Sequence, residues 1–318
     1  MQVQDTISDQ LRFPMARRLT LIQNISKYKY LYLIGVPGMV FFLIFKYLPM
    51  LGIVIAFEDY SPVKGVWSSN WVGIKHFDYL FGDPKFWRIL RNTLSISGLS
   101  LLILFPAPIL LALMMNEVRN QIYKRFIQTL VFFPHFLSWV IVISLSYFFL
   151  SSEEGIINKL IASLNGTRIS FLLQDVFIYP ILMLQGLWKE VGWNIIIYLA
   201  AIAGINPTLY EAATIDGAGR LAQIRHITIP SIIPTIVILF ILSLSNILEV
   251  NFEQVLLMQN AVTLHMTEVI DTYVYKIGVR EGKFSYSTAV GVFKSFVGLI
   301  AVLAANRLIR RTGHEGIW

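Results

Sequence analysis

The sequence predicts an all-α, polytopic membrane protein. Three observations carry that expectation: an unusually apolar composition, six apolar runs of membrane-spanning length, and basic residues gathered in alternate connections. Of the 318 residues, 56% are hydrophobic and only 14% charged, whereas a soluble domain carries roughly a quarter charged residues. A helix crosses the hydrocarbon core with about 20 mostly apolar residues. Runs of that length extend from Tyr30 to Phe57, Thr93 to Asn116, Phe126 to Leu150, Phe177 to Ala203, Thr228 to Val250 and Ser285 to Asn306.

The first run contains Pro37, Lys46 and Pro49, which predicts a kink or tilted start. The polar segment before it, with Arg12, Arg17, Arg18, Lys27 and Lys29, lacks the early apolar core and small-residue cleavage site of a secretory signal, so the run is expected to remain as an anchor. Basic residues recur as Arg119, Lys124 and Arg125, as Arg220 and Arg225, and as Arg307, Arg310 and Arg311. These thirteen basic residues, against ten spread over the longer intervening connections, predict that both termini lie inside the cell. The expected organisation is a cytoplasmic segment 1–29, a six-span domain 30–306 with a cytoplasmic loop 204–227, and a cytoplasmic tail 307–318. The long external loops hold most of the acidic groups and suit either a docking surface or solvated connections, while Trp67, Trp71 and Trp87 suit an interfacial aromatic belt.

The net charge is +7. Nucleic acid, an acidic solute and the ordinary cytoplasmic excess of Lys and Arg all fit a basic chain, and the last is sufficient; no nucleic-acid partner is expected. The absence of cysteine excludes disulfides and thiolate metal sites. The histidines, His76, His135, His226, His265 and His314, are too scattered for a metal site or a nucleophilic triad. Gly282-Lys283-Phe284 fails both the spacing and the hydroxyl of a phosphate-cradling loop. The chain is therefore expected to be non-catalytic, without a bound metal or cofactor.

The loop before the fifth run reads Glu211-Ala212-Ala213-Thr214-Ile215-Asp216-Gly217-Ala218-Gly219-Arg220, then Leu221-Ala222-Gln223-Ile224-Arg225-His226-Ile227-Thr228-Ile229-Pro230. Its composition predicts a helix, a turn and a second helix: Pro207 suits a first helical position, the alanines are strong helix formers, and Gly217 with Gly219 permits a tight turn. The bland alternative is a solvated loop. The spacing resembles the EAA loop of type I ATP-binding-cassette importer permeases: Gly217 follows Ala213 after three residues, and Ile227 follows Gly217 after nine. Ile229 replaces the usual Leu before Pro230.

That resemblance implies a six-helix type I importer permease in the bacterial cytoplasmic (inner) membrane, with the loop gripped by a separate ATPase. Glu211 would pair with a basic group there, Gly217 would form the bend, and Ile215, Leu221 and Ile224 would fill the ATPase groove; Ala212, Ala213, Asp216, Ile227 and Pro230 complete the motif. The implied partners are a second permease subunit in a heterodimer, two ATPase subunits carrying ATP and magnesium, an extracytoplasmic solute-binding protein, a saccharide and membrane lipid. The stretches Phe45-Lys46-Tyr47-Leu48-Pro49-Met50, Ala56-Phe57-Glu58-Asp59-Tyr60-Ser61-Pro62, Trp71-Val72-Gly73-Ile74-Lys75-His76-Phe77 and Asp83-Pro84-Lys85-Phe86-Trp87-Arg88 are similar to the carbohydrate-uptake branch. More narrowly they resemble oligo- and polysaccharide permeases, the larger permease subunit of bacterial alginate importers among them.

Charges at membrane depth mark a cavity, a pairing partner or a pathway; here they are Lys46, Lys189, Glu190, Glu249 and Lys294. Trp188, Lys189, Glu190, Trp193, Asn194 and Tyr198 supply aromatic faces and hydrogen-bonding groups for a sugar, with Lys189 available to a carboxylate. Interhelical pairing explains Lys189 and Glu190 equally well. Ser243, Asn246 and Glu249 recur at three-residue spacing, on one helical face directed to the pathway or to a neighbouring span. A secondary transporter or channel for a polar solute accounts for the spans and the charges but not for the 211–230 loop.

Overall fold

The computed structural model describes residues 27–311; Arg12, Arg17 and Arg18 and the tail from 312 lie outside them. The chain divides into two units, one ending at Val54 and the other starting at Ile55. In the first unit helix α1 (Lys29–Phe42) continues through a π-helical turn, Leu43–Tyr47, into Leu48–Met50 and a 3₁₀ stretch beginning at Leu51. The irregularity falls where Pro49 withholds an N–H from the ladder. Every residue from 27 to 51 is exposed, as expected for a lipid-length apolar helix.

The second unit opens with a two-residue antiparallel pairing, β1 (Glu58–Asp59) with β2 (Asn70–Trp71), followed by α2 (Lys75–Gly82). Then come α3 (Pro84–Ile103) and α4 (Pro106–Asn116), together one apolar segment, Pro84–Asn116. Asp83 caps α3 by accepting from the Lys85 N–H at 2.8 Å, and Pro84 occupies a first-turn position that needs no donor. The helix therefore begins nine residues before the expected Thr93.

The third run is not one helix. α5 (Gln121–Phe132) passes through a 3₁₀ turn at Phe133–Phe136 and then bends by 100° into α6 (Trp139–Leu150). Pro134 removes a ladder donor, and Ser138 caps α6. α7 (Ile156–Ser163) leads to the long α8 (Asp175–Ala203), which bends by 67° into α9 (Pro207–Ile215). After α10 (Arg220–Gln223) and a π-helical turn at Ile224–Thr228, α11 (Ile229–Ser245) rises as the fifth apolar segment. It stops at Ser245, five residues before the expected Val250, so Asn246 and Glu249 stand beyond the helix and share no helical face with Ser243.

Residues 252–280 form three short helices, α12 (Phe252–Met258), α13 (Leu264–Thr267) and α14 (Ile270–Val274), and a π-helical turn, Tyr275–Arg280. α15 (Phe284–Arg311) closes the unit and includes Arg307–Arg311 of the expected tail. Among the described residues four segments can cross a membrane by length and composition, and up to six if each bent pair is one crossing.

Three apolar cores hold the second unit. One joins Ile96, Val142, Ile178, Leu182, Val255 and Met258; a second joins Phe86, Leu248, Ile270, Tyr273 and Val290; the third joins Ala112, Ile195, Ile202 and Ile232. Helix α8 approaches α5 so closely that a Cβ on Gly192 would lie 2.0 Å from the Val131 carbonyl oxygen. Glycine there sets the helix spacing.

Candidate functional site

The projecting loop is built from local rules. Asn206 accepts from the Thr208 N–H at 3.1 Å and Pro207 opens α9. At the other end the Ala218 N–H donates to the Ala213 carbonyl (2.8 Å) and the Gly217 N–H to that of Thr214 (3.1 Å), with Gly217 at φ +82°. This is the left-handed helix stop that glycine enters without a Cβ penalty. A Cβ on Gly217 would touch nothing within 4 Å, so dihedral angle alone demands the glycine.

The tip presents apolar side chains to solvent: Ile215 is 86% and Leu221 80% exposed. Glu211, Ala212 and Asp216 are also exposed, while Ala213, Ile224 and Ile227 are half-buried. Three links stiffen the knob. Tyr210 Oη and Thr228 Oγ1 lie 2.9 Å apart; Gln223 Nε2 donates to Thr214 Oγ1 and the Ala218 carbonyl; Arg220 pairs with Glu117 at 3.8 Å. Glu211 has no ionic partner among the described residues. Two exposed aliphatic side chains on a braced helix–turn–helix have the size and exposure that an apolar groove accepts. Pro230 lies in the first turn of α11, where its missing N–H costs nothing.

The second feature is a cavity of 410 Å³ between α3, α4, α8 and α11, whose polar lining is Ser97, Ser100, Asn194, Tyr198, Ser243, Asn246 and Glu249. Ser97 Oγ is buried and has no hydrogen-bond partner among the described residues. Of the pathway candidates, Asn194, Tyr198, Ser243, Asn246 and Glu249 line this cavity. Trp188, Lys189, Glu190 and Trp193 do not.

Lys189 is instead a bolt for the broken third span. Its ammonium donates to the carbonyl oxygens of His135 and Leu137, both at 2.7 Å, and stands 5.5 Å from the Trp139 ring centroid. The bend leaves helix-end carbonyls without ladder donors, and a cation at a helix C-terminus satisfies them. Glu190 accepts from His135 at 3.1 Å, and the His135 ring stacks on Trp193 with centroids 4.6 Å apart. Trp188 is 44% exposed. Sequence reasoning placed Ser97 and Ser100 only within an apolar run; their spacing along α3 was the available signal.

A protein family described as "Binding-protein-dependent transport system inner membrane component" matches residues 104–314. The chain is 52% identical over 98% of its length, and 97% of the relative's, to the polygalacturonan/rhamnogalacturonan transport system permease protein YteP of Bacillus subtilis. It superposes with a TM-score of 0.85 and 42% identity on a chain in the crystal structure of a bacterial alginate ABC transporter complexed with alginate pentasaccharide-bound periplasmic protein, covering 93% of this chain and 99% of that one. A further crystal structure, of a bacterial ABC transporter involved in the import of the acidic polysaccharide alginate, matches with a TM-score of 0.84, 43% identity and coverage of 92% and 98%.

Proposed function

We propose, from the premise that this chain belongs to the family of binding-protein-dependent transport system inner membrane components, that it is the permease subunit of an ATP-driven importer of acidic oligosaccharides. The observation that carries the coupling role is the braced knob: Ile215 and Leu221 stand exposed on an element tied by Tyr210 to the buried Thr228, at the root of α11. A force applied to the knob reaches the span through that tie. The acidic class rests on chemistry shared by the relatives, because polygalacturonan and alginate are both built of carboxylated sugars.

In this reading the 204–227 loop and both termini face the cytoplasm, and the membrane is the bacterial inner membrane. ATP and magnesium act on two partner ATPase subunits. A second permease subunit completes the pathway, and a solute-binding protein docks on the opposite face. ATP closes the motor, and the knobs swing the spans so that the cavity between α3, α8 and α11 opens outward. Hydrolysis restores the inward-open state. Ser100, Asn194 and Ser243 offer the donors and acceptors that a hydroxyl-rich solute exchanges for water.

The test is reconstitution of the chain with its operon partners into proteoliposomes. ATP-dependent uptake of an acidic oligosaccharide, abolished when the ATPase is omitted, is the expected result. Uptake by this chain without any ATPase would establish a secondary transporter instead.

A further inference from the structure

A second cavity, of 580 Å³, lies between α11 and α15 and shares Asn246 and Glu249 with the first. Lys294, ten residues into α15, is the cation that lines it, and the first cavity has no cation in its lining. The two partners of Lys294 differ in kind. Asp271 is held: its Oδ1 lies 2.5 Å from the ammonium, its Oδ2 accepts from the Val250 N–H at 3.3 Å, and its side chain is 21% exposed. Glu249 is loose: its Oε1 lies 3.5 Å from the ammonium, its side chain is 58% exposed, and it sits on the non-helical stretch after α11.

We propose that Lys294 recognises the carboxylate of an acidic sugar by exchanging Glu249 for it, an inference that rests on the saccharide-importer reading above. The group of three carries a net charge of −1, and an anion entering beside it is repelled while both carboxylates stay in place. Exchange removes that penalty. The sugar carboxylate takes the place of Glu249 at 3.5 Å, Asp271 keeps its two anchors, and Glu249 swings into the first cavity that it already lines. The ammonium keeps two anionic partners throughout, so no buried charge is left bare. A neutral or esterified sugar has nothing to exchange. Lys294 thereby supplies selectivity for acid over ester, and Glu249 sets its threshold.

The experiment uses the whole importer, with its solute-binding protein, in ATP-loaded proteoliposomes, and measures uptake of trigalacturonate against its methyl ester across a concentration series. Lys294→Gln is expected to weaken trigalacturonate uptake roughly tenfold while the ester changes by less than about twofold. Lys294→Arg restores the acid. Glu249→Gln removes the competing charge and is expected to raise the acid-to-ester ratio about threefold. Equal losses for acid and ester in Lys294→Gln, or an unchanged ratio in Glu249→Gln, overturn the exchange while leaving the importer assignment standing. A wild-type importer that carries the ester but not the acid overturns the exchange and the acidic class together, and leaves only the ATP-driven importer standing. Uptake of neither probe overturns the functional reading and this inference together.

Discussion

Tyr210 Oη lies 2.9 Å from Thr228 Oγ1, which ties the exposed helix α9 to the turn from which α11 climbs. Thr228 is 1% exposed, so the bond is sheltered from water. A partly sheltered hydrogen bond of this kind is worth about 1 kcal/mol, or roughly fivefold in an equilibrium. Tyr210→Phe is expected to leave expression and co-purification with the ATPase unchanged while lowering solute uptake per ATP hydrolysed about fivefold. A paired measurement of phosphate release and uptake checks it; unaltered stoichiometry refutes the tie.

Gly217 adopts φ +82° in open space, a conformation that costs a β-branched residue roughly 1–3 kcal/mol. Gly217→Val should therefore misdirect α10 and weaken capture of the ATPase in a pull-down. Gly219→Ala is the control, because Gly219 has φ −70° and equal room; its binding should match that of the unsubstituted chain. Equal effects from both substitutions would count against the dihedral argument.

Lys189 satisfies two carbonyls at the break between α5 and α6. Lys189→Met keeps the volume but strands both acceptors, at roughly 1–3 kcal/mol each. The expected outcome is a lower unfolding midpoint in detergent, with the solute concentration for half-maximal ATPase stimulation unchanged. A shifted solute dependence at constant midpoint would assign Lys189 to the pathway.

Asp59, just beyond the first span, is held below its ordinary carboxyl value chiefly by the hydrogen bond from Lys75 at 2.7 Å, against the opposing effect of burial. Lys75 is raised by the same bond. The contribution of Asp59 to the hairpin is complete above its ordinary value of 3.8 and is lost as pH falls through the lowered one. That of Lys75 is complete below 10.5 and is lost as pH rises through its raised value. Hydrogen exchange of residues 58–71 should therefore show no break in protection from this pair between pH 5 and 9. Asp59→Asn should abolish the acid-side loss; an acid-side loss that persists in Asp59→Asn would contradict the pairing.

The crossings were legible in the sequence because a lipid-exposed helix has to be continuously apolar, and the knob was legible because alanines and a left-handed glycine leave a fixed spacing. The break at Leu137–Ser138 was hidden, since apolar residues continue across it and the donor that stabilises it belongs to a different helix. The 252–280 segment read as an external loop, either a docking surface or a solvated connection, yet Val255, Met258, Ile270, Tyr273 and Ile277 are buried in two of the cores. Its apolar stretches are too short to cross a membrane and carry no clear period. Lys294 was visible as a charge at depth, but its two unequal partners come from the stretch after α11 and from α14, a juxtaposition that only the folded chain reveals.

The bolt at Lys189 joins residues that are far apart in the order of synthesis. Leu137 leaves the ribosome 52 residues ahead of the lysine that receives its carbonyl. For that interval a sharply folded crossing has two polar acceptors and nothing in hydrocarbon to quiet them. The third segment is therefore expected to settle in the bilayer together with its successor, so a chain truncated before Lys189 should leave residues 121–150 less firmly inserted than the full chain does.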